Sequence, residues 1–168
     1  MKSRFDAALR ALSALAPALL AATGAAGVAP TAHDPGLVRT VGVGFTGAFR
    51  ALDLLVAAPA LLSPLGTRAL RASLASAIVT GVCGALAFDL GRLAVAAVPD
   101  ALGRIGLGSK RAVSPRLVAG VAAVATTSAL LSPAWQAEAS APGGSVTGVL
   151  LLLVALRLAH RPAAPGDA

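Results

Sequence analysis

The chain has 168 residues, 57% of them hydrophobic before its 18 glycines are counted, and only 12% charged. A soluble domain is nearer half apolar and about a quarter charged, so a disordered chain, a charged coiled coil and a nucleic-acid-binding domain are excluded, and the net charge of +7 fits membrane topology signals instead. One cysteine, Cys83, leaves neither an internal disulfide framework nor a cysteine zinc site.

In chain order, the first element is an uncharged stretch from Ala11 to Ala32, interrupted by Pro17 and Pro30 and preceded by Lys2, Arg4 and Arg10. A bilayer core about 30 Å thick needs about 20 mostly apolar residues, so this stretch predicts a span near 8–29. Basic flanks followed by small residues also fit a secretory signal peptide. The next apolar stretch, Val41 to Leu62, carries Arg50 and Asp53. Were it to cross, the loop from Pro99 to Arg116, with Arg104, Lys110, Arg111 and Arg116, would face the exterior and break the positive-inside rule. Residues 30–70 are therefore expected to form an exterior loop with one interfacial helix, where the Arg50 and Asp53 charges cost little. Further spans are expected near 71–97, 117–134 and 145–160, with a cytoplasmic basic loop at 98–116 and a tail at 161–168. The reading is an all-α integral membrane protein of about four transmembrane helices, a single membrane domain with a cytoplasmic N-terminus.

Several motifs have plain explanations. Gly42-Val43-Gly44-Phe45-Thr46-Gly47 matches the dinucleotide fingerprint, but the strand that must precede it is absent from the pattern. Gly103 to Lys110 nearly spells a P-loop, with Ser-Lys where Lys-Ser/Thr is required. Ala77, Gly81 and Ala85 form one small-residue ladder and Gly144 with Gly148 another, the pattern that lets helices approach closely in lipid and that offers Ala/Gly faces to a membrane protein partner. Asp89 and Arg92, three residues apart, are expected to pair on their own helix as a snorkelling couple. His33-Asp34-Pro35-Gly36 is a compact polar cluster with the signature of a turn. Ser132 to Glu138 ends a span and places the only Trp and the only Glu at the exterior interface, with Glu138 within reach of Arg68 or Arg71.

The order of these elements resembles bacterial multi-spanning proteins related to the protein O-mannosyltransferases, which have the GT-C glycosyltransferase fold. Ala32 to Gly36 is similar to an exterior turn of that family, and Ser63 to Ala77 to a helix start. Ser132 to Glu138 and Leu150 to Arg157 are similar to a Ser/Trp/Glu element and a leucine run, in shortened form. The resemblance implies the N-terminal part of a GT-C fold in a bacterial inner membrane, with a polyprenyl-phosphate sugar donor if the chain is active; the residues themselves make no cofactor or metal site evident. It implies His33, Asp34 and Glu138 as catalytic candidates and Arg68 and Arg71 as contacts for the lipid phosphate. The chain departs where the family carries an acidic motif, since Ala22 to Ala32 holds no acid. The expectation is therefore a truncated transferase, incomplete or inactive alone. The second expectation is a small structural or accessory subunit of a membrane complex.

Overall fold

A computed structural model describes residues 4–25, 62, 64, 68–104, 113–140 and 146–160. All regular structure among them is helical: α1 (Arg4–Ala25), α2 (Arg68–Arg104), α3 (Pro115–Leu130), α4 (Pro133–Ser140) and α5 (Val146–Ala159). The expected interfacial helix within 30–70 lies almost wholly outside the described residues.

Two helices are long and apolar enough to cross a membrane, Arg4–Gly24 and Leu74–Arg104. A third crossing is available if α3 and α4, bent by 63° at their junction, count as one broken span. α5 has 14 residues, about 21 Å of helix, and is shorter than a bilayer core. Outward faces carry exposed leucines, including Leu12, Leu15 and Leu19 on α1 and Leu151, Leu152 and Leu158 on α5, a surface suited to lipid.

The bend between α3 and α4 follows from local chemistry. Pro133 disfavours helical geometry at the residue before it, so the α3 ladder stops at Leu131, whose N–H still reaches the Thr127 carbonyl at 2.8 Å. Ser132 then caps the new helix: its Oγ accepts from the Trp135 backbone N–H at 3.3 Å, with proline at the first helical position. Gln136 closes the joint, its Nε2 donating to the Leu130 carbonyl at 2.6 Å and to the Pro17 carbonyl at 3.4 Å.

Packing is densest between α1 and α2, which run antiparallel. Pro17 has no N–H, so the Ser13 carbonyl one turn earlier loses its intrahelical donor. Gly84 of α2 lies directly over that carbonyl: a Cβ added there would stand 2.1 Å from Ser13 O and 2.9 Å from Ser13 C. One Gly84 Hα therefore points at the freed oxygen, the arrangement of a Cα–H···O contact between helices. One step along, Gly81 lies against Ala14 and Ala18, where an added Cβ would meet atoms at 3.2–3.3 Å. The ladder of Ala77, Gly81 and Ala85 thus contributes to this seam, but its closest approach is at Gly84, off the ladder. Gly91 turns toward Ala122 and Thr126 of α3.

Two apolar clusters fill the interior. Ala21, Ala77, Val79, Cys83, Ala139 and Val146 form one, with Trp135 packed against it; Phe88, Ala119, Ala122 and Ala123 form the other. Three helix hydroxyls bond back to their own turn, whereas the buried Ser13 and Thr80 hydroxyls have no partner among the described residues. Thr23 donates to Leu20 O at 2.7 Å, Ser140 to Gln136 O at 2.8 Å and Thr127 to Ala123 O.

Candidate functional site

The polar centre of the bundle lies at the end where α1 begins. Asp6 and Arg10 stand one turn apart on α1, and Asp89 and Arg92 one turn apart on α2. Both helices carry the acid first. Antiparallel packing therefore sets each acid opposite a base. Arg10 Nε donates to Asp89 Oδ2 at 3.1 Å, and Arg92 Nη2 lies 3.2 Å from Asp6 Oδ2. The expected Asp89–Arg92 pair on one helix is corrected by this geometry: each residue turns to α1 because a partner across the seam is better shielded from solvent than one along the helix surface. The carboxylates are the sheltered members, Asp6 at 12% and Asp89 at 14% side-chain exposure, with Arg92 at 27% and Arg10 at 44%. Arg92 also lies over the Phe88 ring, 5.8 Å from its centroid, a cation–π arrangement.

Two clefts open from this quartet. A cavity of about 220 Å³ between α1 and α2 is lined by the four charged residues with Ala11, Ala14 and Phe88. A second, of about 360 Å³, lies between α2, α3 and α5, lined by Asp89, Arg92, Leu93, Ala96, Val118 and Arg157 among others. Chemically, the quartet neutralises its own charges and fixes the register of two helices. It offers no nucleophile beside a base, and no group of three or more His, Cys, Asp or Glu suited to a metal occurs among the described residues.

The residues singled out from sequence fall elsewhere. His33 and Asp34 lie outside the described residues, and of Arg68 only the backbone, at the first turn of α2, is described. Arg71 is half-buried on α2 and Glu138 exposed on α4; each takes part in a polar or electrostatic interaction. Both stand toward the end of the bundle remote from the quartet, since an added Cβ at Gly24, at the close of α1, would lie 3.2 Å from Ser140 Cβ of α4. Trp135 packs on the first apolar cluster, and its Nε1 is buried without an acceptor among the described residues. Among the described residues nothing lies within 4 Å of a Cβ added at Gly148; Gly144 lies outside the described residues.

Sequence reasoning missed Asp6 and Arg10 as site residues, having assigned the first basic residues to topology alone. The signal was present: two acid-then-base pairs at helical spacing, in two apolar helices. Comparison with family models, curated proteins and solved structures finds no match to this chain.

Proposed function

We propose that this chain is a membrane-embedded helical bundle serving as a structural or accessory component of a larger membrane assembly. The observation that carries it is a pair of helix glycines on outward faces. Gly120 of α3 and Gly148 of α5 have nothing within 4 Å of an added Cβ. Glycine inside a helix costs about 1 kcal/mol relative to alanine, and among the described residues no close approach offsets that cost at either position. In lipid, such positions are where a neighbouring helix backbone fits. Exposed Leu117, Val121 and Val124 beside Gly120, and Leu151 and Leu152 beside Gly148, supply the apolar shoulders of such contacts. The four charges of the quartet, paired between α1 and α2, are consistent with a scaffold.

The proposed topology has four crossings: α1, α2, the broken α3–α4 span and the α5 region. Both termini and the 98–116 loop face the cytoplasm of a bacterial inner membrane. Arg4, Arg10, Arg104, Arg116 and Arg157 gather toward the quartet end, as the positive-inside rule asks.

Gly120→Leu and Gly148→Leu test the role. Each is expected to release the chain from its assembly in mild detergent, read as a loss of co-purifying mass, without lowering the melting temperature of the bundle. Unchanged assembly mass in both variants would contradict the proposal. The second reading, a lipid-linked glycosyltransferase-like protein, is supported by the ordered resemblance and by Arg71 and Glu138 standing toward one end of the bundle. Its donor would be a polyprenyl-phosphate sugar.

A further inference from the structure

The cleft between α2, α3 and α5 is unlike the one that holds the ion pairs. It has about 360 Å³ of space and an apolar wall of Leu93, Ala96, Val113 and Val118. Two guanidinium groups line it, Arg92 and Arg157, against the single carboxylate of Asp89. Asp89 is already bonded to Arg10, so the local balance is positive. Arg92 spends one Nη on Asp6, while its Nε–H is buried with no acceptor among the described residues. Arg157, in the last turn of α5 and half-buried, has no acidic partner among the described residues.

α3 opens at the cleft with Pro115, while the exposed Arg116 and Leu117 that follow it stand outside the lining. Two guanidinium groups against an apolar wall, Arg157 among them without an acidic partner among the described residues, form a receptor for an anion with several acceptor oxygens. Chloride would use few of these donors, and a carboxylate would leave some unmet.

The geometry points to this cleft as a binding site for a phosphate group, supplied either by an anionic lipid headgroup or by a soluble phosphate. Basic pockets between membrane helices hold lipid phosphates in this way. Here Leu93, Ala96 and Val118 would carry the first part of an acyl chain while Arg157 and Arg92 hold the head. The lipid source depends on membrane embedding; the site does not depend on the outward glycines. Failure of one proposal therefore leaves the other standing.

The test uses the full purified chain in detergent micelles, with phosphatidylglycerol, phosphatidylcholine and inorganic phosphate as separate probes. Retained lipid is read by native mass spectrometry and free phosphate by phosphorus NMR. Arg157→Gln is the informative variant, because Arg157 makes no ion pair among the described residues and its loss should leave the melting temperature unchanged. Arg104→Gln, an exposed arginine at the end of α2, controls for general charge. The expected result is phosphatidylglycerol retained in preference to phosphatidylcholine, weakened about tenfold in Arg157→Gln and unchanged in Arg104→Gln. Retention of phosphatidylglycerol without phosphate binding assigns the lipid source. Phosphate binding in lipid-free micelles, lost in Arg157→Gln, assigns the soluble source. No lipid preference together with no phosphate binding, or equal losses in the two arginine variants, would overturn the site.

Discussion

Replacing Gly84 with alanine should break the α1–α2 seam. The new Cβ would lie 2.1 Å from the Ser13 carbonyl oxygen and 3.1 Å from Ala14 Cα, whereas ordinary contact begins at 3.4 Å. The obstacle is backbone, so no side chain can swing aside, and the helices must part by about 1 Å or slide, by the geometry of close-packed interiors. Overpacking of this kind costs about 1–3 kcal/mol, offset by a gain of about 1 kcal/mol from glycine-to-alanine helix propensity. Separation would also lengthen the Arg10–Asp89 and Asp6–Arg92 bonds, which span the same seam, and would withdraw the Hα that meets the Ser13 oxygen. These figures leave a net loss of about 0–2 kcal/mol, and the weakened contacts across the seam place it toward the upper end. The assay is thermal unfolding of the purified protein in a mild detergent, followed by circular dichroism. Gly120→Ala is the matched control: with nothing within 4 Å, it gains helix propensity only and should raise stability by about 0.5–1 kcal/mol. If Gly84→Ala melts at or above the parent temperature, the close approach and the reasoning from Pro17 are wrong.

Arg10→Gln and Asp89→Asn should each destabilise the bundle, and the double variant should fall short of their sum by about 1 kcal/mol; additive losses would show that the pair contributes nothing. Ser132→Ala removes the α4 cap and should cost about 1 kcal/mol, lowering the melting temperature without changing assembly mass. The purified chain should show no glycosyl transfer from a polyprenyl-phosphate donor, because Ala22 to Ala32 holds no carboxylate to serve the transfer. Turnover that disappears in Asp34→Asn would reverse that expectation.

Helical character was legible in the sequence because long apolar stretches bounded by charges leave the backbone few other ways to satisfy its hydrogen bonds in lipid. The Ser132-Pro133 break was legible too, since proline and a capping serine act within a few residues. What escaped were relations between helices. Asp89 and Arg92 satisfy the local spacing rule for a pair, and only the antiparallel partner shows that each has a better one. The ladder rule picked out Ala77, Gly81 and Ala85, yet the tightest contact is at Gly84, chosen by the carbonyl that Pro17 frees on the opposite helix. Trp135 stands at the end of a span in the sequence, and the bend after α3 packs it against the Ala21–Val146 cluster, a contact that no local spacing rule reveals. Of the candidate site residues, Glu138 and Arg71 sit on described helices, and their roles depend on what they meet beyond them.

Cysteine-accessibility labelling in intact cells tests the central claim most directly, using Cys83→Ala as the background with single Thr40→Cys and Ser109→Cys variants. The account predicts labelling of the Thr40→Cys variant by a membrane-impermeant maleimide, and protection of the Ser109→Cys variant until the membrane is opened. Labelling of the Ser109→Cys variant from outside would place the quartet end of the bundle on the wrong face and contradict the account.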